Sequence, residues 1–129
     1  MTKYYFNKTV DLSFDDAIER VTDELKKEGF GVLTEIDIQA TLKKKLDVDF
    51  RPYRILGACN PPFAHKALSV EPNIGLMLPC NVIVQGAGSG KTEIAAIDPL
   101  VAMSSVDNSA LEPIAKEVQA KLQRVIENL

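Results

Sequence analysis

Residues 111–129 carry the strongest structural signal in the sequence, a stripe of apolar side chains at helical spacing. Apolar residues that recur every three or four positions lie on one face of a helix, and a continuous stripe of them is typical of core packing. Ser109 followed by Glu112 forms a capping signature, so we expect the helix to begin there. The stripe comprises Leu111, Ile114, Ala115, Val118, Leu122, Val125, Ile126 and Leu129.

The N-terminal part of the chain alternates between strand-like and helix-like segments. Residues 2–10 are rich in Tyr, Phe and Thr, and residues 31–37 alternate in polarity, so both segments predict strands. Between them, helical spacing of apolar residues predicts a helix that begins at Ser13 and ends near Gly29. A short amphipathic helix is predicted over residues 38–46.

The remaining segments complete the predicted order β-α-β-α-β-α-β-β-α. Residues 53–59 predict a strand and residues 61–70 a helix, for which the preceding Asn and the first Pro suit the N-terminus. Residues 78–85 and 91–97 predict a pair of strands that form a hairpin. We therefore predict a single α+β domain over residues 1–129, with a mixed β-sheet of about five strands and helices packed against one or both faces.

Charge and hydropathy exclude several classes of partner. The formal net charge is −3 and the pI is about 5.2, which argues against general binding to nucleic acid. The basic run at residues 43–45 is interpreted as a solvated helix face. Apolar runs are too short for a membrane span and no targeting signal is visible, so we expect a cytoplasmic protein without membrane contact. A sheet with an uncovered face or edge further predicts a homodimer.

Residues 86–92, which read Gly-Ala-Gly-Ser-Gly-Lys-Thr, resemble a phosphate-binding loop. The spacing is wrong, because Gln85 stands where that motif needs its first glycine. The following residues are strand-like, whereas phosphate binding requires the N-terminus of a helix. We therefore interpret the segment as a Gly-rich hairpin loop.

The chain has two cysteines and one histidine, and both cysteines lie in similar surroundings. Cys59 is followed by Asn60 and a proline, just before the predicted helix. Cys80 lies between a proline and Asn81, at the start of a predicted strand. The positive end of a helix dipole favours a thiolate, so Cys59 is the candidate for an activated thiol. If the two strands are neighbours, the thiols could face one another across a shallow pocket.

Four interpretations of these segments are open. One cysteine could act as nucleophile or sulfur acceptor while the other resolves or positions it. The pair could instead ligate a metal or haem, with His65 or a second subunit completing the coordination shell. A third interpretation is a small-ligand pocket in which the Asn side chains and the backbone provide recognition. The fourth is that both cysteines simply fill the core.

The two cysteine segments, together with a later Asp-Pro pair, resemble the bacterial and archaeal "domain of unknown function 302" family. The resemblance implies a small cytoplasmic α+β domain that pairs as a homodimer, and it implies no established reaction or cofactor. His65 and the Gly-Lys-Thr tripeptide are not part of the family pattern. The matching residues are Cys59, Asn60, Pro61, Pro79, Cys80, Asn81, Asp98 and Pro99.

The resulting hypothesis is a two-cysteine site. Cys59 and Cys80 are the candidate catalytic residues for thiol, sulfur or redox chemistry, and Asn60 and Asn81 are the candidate ligand-binding residues. The alternative is a binding module in which the same region ligates a metal or haem, or lines a small-ligand pocket without turnover. We assign no residue to a metal site and identify no cofactor.

Overall fold

The computed structural model describes residues 3–129, in which five strands form one sheet. Helices connect most of the strands, so the predicted α+β domain with five strands in this chain order is confirmed. The strands are β1 (Tyr5–Val10), β2 (Gly31–Asp37), β3 (Tyr53–Cys59), β4 (Cys80–Gly88) and β5 (Lys91–Ile97), in the spatial order β1-β5-β4-β3-β2.

The sheet is antiparallel at each of these pairings, whereas a mixed sheet was predicted. The reason lies in the connections. A helix joins β2 to β3 and another helical segment joins β3 to β4, but each pair of neighbours still runs in opposite directions. The first helix carries the chain from β1 at one edge to β2 at the other, so these two strands do not become parallel neighbours.

The helices occupy the predicted positions, with two short additions. A four-residue helix after β5 and a 3₁₀ helix after the third helix were not predicted. The helices are α1 (Phe14–Lys27), α2 (Ile38–Leu46), α3 (Pro61–Val70), α4 (Pro99–Ala102) and α5 (Leu111–Glu127), and the 3₁₀ helix covers Pro72–Met77. No helix in residues 3–129 combines the length and apolarity that a bilayer crossing requires.

Helix ends show where local sequence signals were sufficient. The hydroxyl of Ser13 accepts a hydrogen bond from the amide of Asp16, as the capping prediction requires. The capping prediction for α5 is wrong: the helix begins at Leu111 and the side chain of Ser109 does not cap it. Asn108 stabilises this helix start instead. Its Oδ1 accepts a hydrogen bond from the amide of Ala110 at 3.0 Å, and its Nδ2 donates to the carbonyl oxygen of Val70 at the end of α3. The first strand starts later than predicted, and Thr2 lies outside the described residues.

The core lies between one face of the sheet and the helices α1 and α5. Val21 and Leu25 of α1 and Leu122 of α5 are fully buried against strand residues such as Val82 and Ile94. Burial of each such side chain stabilises the fold by about 1.5–3 kcal/mol. The apolar stripe on α5 is therefore core packing, as predicted.

The opposite face of the sheet is much less covered by the described part of the chain. By strand alternation, Tyr53, Ile55, Ile83 and Ile97 point away from the core, and each is only half-buried. We call this surface the open face. The residue pairs Ile55–Ile83 and Tyr53–Gln85 lie directly opposite one another on β3 and β4, so the open face has an apolar centre.

The Gly-rich segment at residues 86–92 forms the predicted hairpin, but the loop itself is only the two residues 89–90, because residues 86–88 belong to β4 and residues 91–92 to β5. Ser89 and Gly90 both have positive φ angles, 55° and 72°, which a tight hairpin turn of this type requires. Lys91 begins β5 and forms an ion pair with Asp11 at 3.1 Å. A strand follows the lysine, so the segment lacks the helix N-terminus that a phosphate loop uses.

Candidate functional site

Antiparallel pairing brings the two cysteine segments together at one end of the sheet. Ala58 pairs with Cys80, so Cys59 lies one residue further along β3. Val82 pairs with Ala96 on β5, which places the end of β5 beside the start of β4. The end of β3, the start of β4 and the end of β5 therefore meet, and the ends of β3 and β4 form the base of a cavity between α3 and α5.

We call this space the cysteine cavity. Its volume is about 280 Å³, and apolar side chains dominate its walls. Cys59 and Cys80 both line it, so the structure brings the two predicted thiols to one place. The helix walls are formed by Phe63, Ala64 and Ala67 of α3 and by Ile114, Ala115 and Val118 of α5.

The two thiols differ in their surroundings. Cys80 is buried in the main core cluster, whereas Cys59 is half-buried. Burial raises the pKa of the Cys80 thiol from 9.0 to about 11, and the neighbouring Cys59 raises it further in the same direction. Cys80 is therefore a neutral thiol at physiological pH. Both cysteines are free, and no disulfide joins them.

Asn60 lies at the predicted position but makes a different hydrogen bond. It immediately precedes α3, yet its side chain does not cap that helix. Its Nδ2 donates to the carbonyl oxygen of Glu28 at 3.1 Å and packs against Gly29. Gly29 has a φ of 87°, which ends α1. Asn60 thus connects the terminus of α1 to the cavity wall, of which it is also a part.

Two other candidate residues lie away from the cavity. Asn81 follows Cys80 on β4, so strand alternation turns its exposed side chain toward the open face. There it lines a second concave region of about 360 Å³, together with Ile83 and Ile97. His65 is exposed on α3 and is not among the residues that line the cysteine cavity.

Asp98, which was identified from the sequence only as part of the family pattern, has a structural role. Its side chain is 7% exposed, and its Oδ1 accepts a hydrogen bond from the amide of Leu100 at 3.0 Å. Gln119 of α5 donates to the same carboxylate at 3.0 and 3.2 Å. Asp98 therefore fixes α4 to α5, and the adjacent Pro99 lines the cavity. The Asp-Pro pair itself was the available signal, since Asp favours an N-cap and Pro the next position.

Sequence reasoning also missed a basic group beside the cavity. Two ammonium nitrogens lie near the ring of Phe63, with Lys66 Nζ 5.3 Å and Lys121 Nζ 5.9 Å from the ring centroid. Glu28 is the nearby acidic residue and is bound mainly by Arg124, whose Nη2 lies 2.9 Å from Oε1. The Arg124 hydrogen bond and charge hold the pKa of Glu28 below its usual value, against the opposing effect of burial. The spacing of Phe63 and Lys66 on one helix was the only sequence signal.

The metal alternative has limited support from the side chains. Within residues 3–129, no group of three or more His, Cys, Asp or Glu side chains is placed to hold a metal ion. Cys59 and Cys80 would need further ligands from elsewhere, because His65 lies outside the cavity wall.

The fold and site define a small α+β domain with helices on one face of a five-stranded antiparallel sheet and an apolar cavity at its end. The chain belongs to the family described as "Domain of unknown function DUF302", whose model matches residues 6–129. A solved protein, an uncharacterized conserved DUF302 protein from Bacillus stearothermophilus, is similar to it with 30% sequence identity and a TM-score of 0.89. The alignment covers 98% of each chain. No curated protein matches the sequence.

Proposed function

We propose that the protein is a binding module that holds a small, mainly apolar molecule in the cysteine cavity without chemical turnover. The observation that carries this proposal is the cavity itself, about 280 Å³ in volume and lined mostly by apolar side chains of α3, α5 and the sheet. Ligand sites in proteins are concave and largely apolar, with a few polar groups that set orientation. Asn60 is the polar side chain in this wall.

In this proposal the thiols act as polarisable wall groups. A neutral thiol packs like a small apolar side chain, and the raised pKa of Cys80 keeps it in that form. Two free cysteines also suit a reducing compartment, which supports the cytoplasmic location expected from the sequence.

Filling the cavity tests the proposal. Ala64 lines the wall and is half-buried, so Ala64→Leu places extra volume inside the cavity. We expect wild-type protein to bind 1-decanol saturably, with chemical-shift changes around α3, and Ala64→Leu to weaken this binding at least about tenfold. The matched control is Ala40→Leu on the exposed surface of α2, which should bind like wild type. Equal binding by both variants, or none by wild type, would contradict the proposal.

A second candidate function is thiol chemistry with Cys59 as nucleophile and Cys80 as its partner. It is favoured by one observation, that both thiols line the same cavity and Cys59 lies just before α3. An activated Cys59 should react with iodoacetamide faster than free cysteine does at pH 6.5, in wild type and in Cys80→Ala. A slower reaction in both proteins would count against this candidate.

Metal or haem ligation by the same cysteines is a weaker alternative, because the described chain supplies no third ligand beside them. Metal analysis of protein purified without chelator tests it directly. Less than one metal ion per two chains, with chelator leaving the unfolding midpoint unchanged, would eliminate it.

We also propose that the chain forms a homodimer through the open face. The support is the half-buried apolar centre around Ile55, Ile83 and Ile97, which the described chain does not cover. Five strands of this length span roughly 500 Å² in projection, or roughly 1,000 Å² over both partners, which is about the minimum for a specific interface. A ladder of hydrogen bonds crosses one end of this face and would form a polar rim. It runs through Lys3, Asn7, Glu93, Gln85 and Arg51.

Light scattering at micromolar concentration tests the dimer. We expect a dimer mass for wild type and a monomer mass for Ile83→Glu, because an unpaired charge at the centre of the interface is costly to bury. Leu76→Glu is the matched control, since Leu76 is 90% exposed on the 3₁₀ helix. A monomer mass for wild type would refute the proposal, and circular dichroism confirms that each variant is folded.

A further inference from the structure

The wall of the cysteine cavity at Phe63 meets solvent between two cations from different helices. Phe63 is half-buried and lines the cavity, while Lys66 is exposed on α3 and Lys121 is partly exposed on α5. Both ammonium nitrogens lie within 6 Å of the ring centroid, at 5.3 and 5.9 Å. Because the two lysines lie on different helices, it is the packing of α3 against α5 that brings the two charges together at this edge.

The charge balance at this edge is positive. Glu28 is the acidic side chain that faces Lys121, but the separation is 4.0 Å, at the limit of an ion pair. Arg124 approaches the same Glu28 oxygen more closely, at 2.9 Å. Glu28 is therefore shared by two cations, of which Arg124 also interacts with the charge of Glu127. Lys66 adds a third positive charge nearby, and three cations against two carboxylates leave this edge positive. Contacts between exposed ammonium groups and an aromatic ring are weak, so both lysines can turn toward an anion at little cost.

We propose that the ligand is a medium-chain carboxylate, with its alkyl chain in the cysteine cavity and its carboxylate between Lys66 and Lys121. This inference rests on the proposed binding function and names the class of ligand. A cavity of about 150 Å³ accommodates benzene, so 280 Å³ has room for roughly ten to twelve non-hydrogen atoms. That size matches an alkyl chain of roughly eight to ten carbons together with its carboxylate. The apolar walls fit the chain, and the lysines supply the charge that a carboxylate needs.

Three probes with the same chain and different heads test the inference: decanoate, 1-decanol and decyltrimethylammonium. The two ionic probes are used below their micelle concentrations and 1-decanol below its solubility limit. We expect decanoate to bind about five- to tenfold more tightly than 1-decanol at low salt, since two exposed charge contacts are each modest. The cationic probe should bind more weakly than 1-decanol. The preference for decanoate should decrease with added salt, because exposed charges are screened.

Substitutions at the two lysines assign the effect to this edge. In the variant Lys66→Gln with Lys121→Gln, decanoate should bind no more tightly than 1-decanol binds to the same variant. Lys44→Gln with Lys45→Gln, on the exposed surface of α2, is the matched control for loss of two positive charges and should behave as wild type. Retention of a decanoate preference in the double variant would overturn the assignment of the head-group site.

The outcomes separate this inference from the proposed function. If 1-decanol and decanoate bind equally well in wild type, and Ala64→Leu weakens both, the cavity binds ligands but the carboxylate inference is wrong. If no probe binds saturably, the proposed function fails and this inference fails with it. Tight decanoate binding that Ala64→Leu does not affect would place the chain outside the cavity and would also refute the inference.

Discussion

Deprotonation of Cys80 should destabilise the folded protein at alkaline pH. The thiol lies in the main core cluster, and burial raises its pKa from 9.0 to about 11, with a further contribution from Cys59. In the unfolded chain the same thiol is exposed to water and loses its proton near its ordinary pKa. The folded and unfolded states therefore bind different numbers of protons between about pH 9 and pH 11.

The sign of the pH effect on stability depends on whether the folded or the unfolded state binds the Cys80 proton more tightly. Because the pKa is raised in the folded state, the unfolded state binds fewer protons in this window, and the free energy of unfolding decreases as pH rises. The contribution of Cys80 is fully present below about pH 9. A pKa that rises from 9.0 to about 11 corresponds to a loss of about 3 kcal/mol when titration is complete. Roughly half of this loss is expected by pH 10.

Urea unfolding of wild type and Cys80→Ala from pH 7 to pH 10.5 measures this contribution. All other ionisable groups are common to both proteins, so the difference between the two curves isolates Cys80. Any packing loss from the substitution shifts the Cys80→Ala curve by a constant amount. We expect the wild-type advantage at pH 7 to shrink by about 1.4 kcal/mol at pH 10. Cys59→Ala should keep most of the wild-type pH dependence, since burial is the larger cause.

A constant difference between wild type and Cys80→Ala up to pH 10.5 would refute the reasoning. It would mean that the thiol titrates alike in both states, so that Cys80 is not desolvated as the core packing requires. An increase of the wild-type advantage with pH would be a stronger contradiction, because it would indicate that the fold stabilises a Cys80 thiolate. That result would also restore Cys80 as a candidate reactive thiol.

Three further predictions concern the residues that shape the site, and denaturant unfolding checks each of them. Gly57→Ala should cost about 2 kcal/mol, because its Cβ would lie 2.7 Å from a proline ring carbon, while Gly31→Ala, which meets nothing within 4 Å, should change stability little. Asp98→Ala should cost about 1–2 kcal/mol, since it removes the cap of α4 and the hydrogen bonds from the half-buried Gln119 of α5. Glu28→Gln should lower stability at neutral pH, where the Arg124 contact holds the Glu28 pKa below its usual value of 4.5. That difference should disappear as the pH falls below 4.5, and a gap that persists in acid would contradict the assignment.

Local signals explain why the order of elements could be predicted. Ser13 caps α1 through the amide of Asp16, and the pattern of one cap and one apolar face requires no information from distant residues. Ser89 and Gly90 likewise define the hairpin turn by their positive φ angles. The antiparallel β4–β5 hairpin was predicted correctly, whereas the antiparallel character of the whole sheet was not, because the other pairings depend on contacts between segments far apart in sequence.

The candidate site likewise contains residues whose roles could be predicted from local sequence and residues whose roles could not. The two cysteines could be predicted as a pair, since each stands beside Asn and Pro at a strand end, and the strands proved to be neighbours. The pairing of Lys66 with Lys121 could not be predicted, because these residues meet only through the packing of α3 against α5 around Phe63. The orientation of Asn81 could have been predicted from the sequence. Val82 and Val84 mark the core face of β4, and side chains alternate along a strand, so Asn81 must face away from the core and from Cys80.

Adjacent residues of β4 therefore serve two different surfaces, which makes the proposals for ligand binding and for dimer formation experimentally separable. Cys80 faces the cavity, while Ile83 faces the open side of the sheet. Ile83→Glu should change the mass of the protein and leave decanol binding intact, whereas Ala64→Leu should do the reverse. If Ile83→Glu also abolishes binding while the monomer is folded, the shape of the cavity depends on pairing. The sheet would then transmit that dependence, because the interior strands β3 and β4 both contribute residues to the cavity and to the open face.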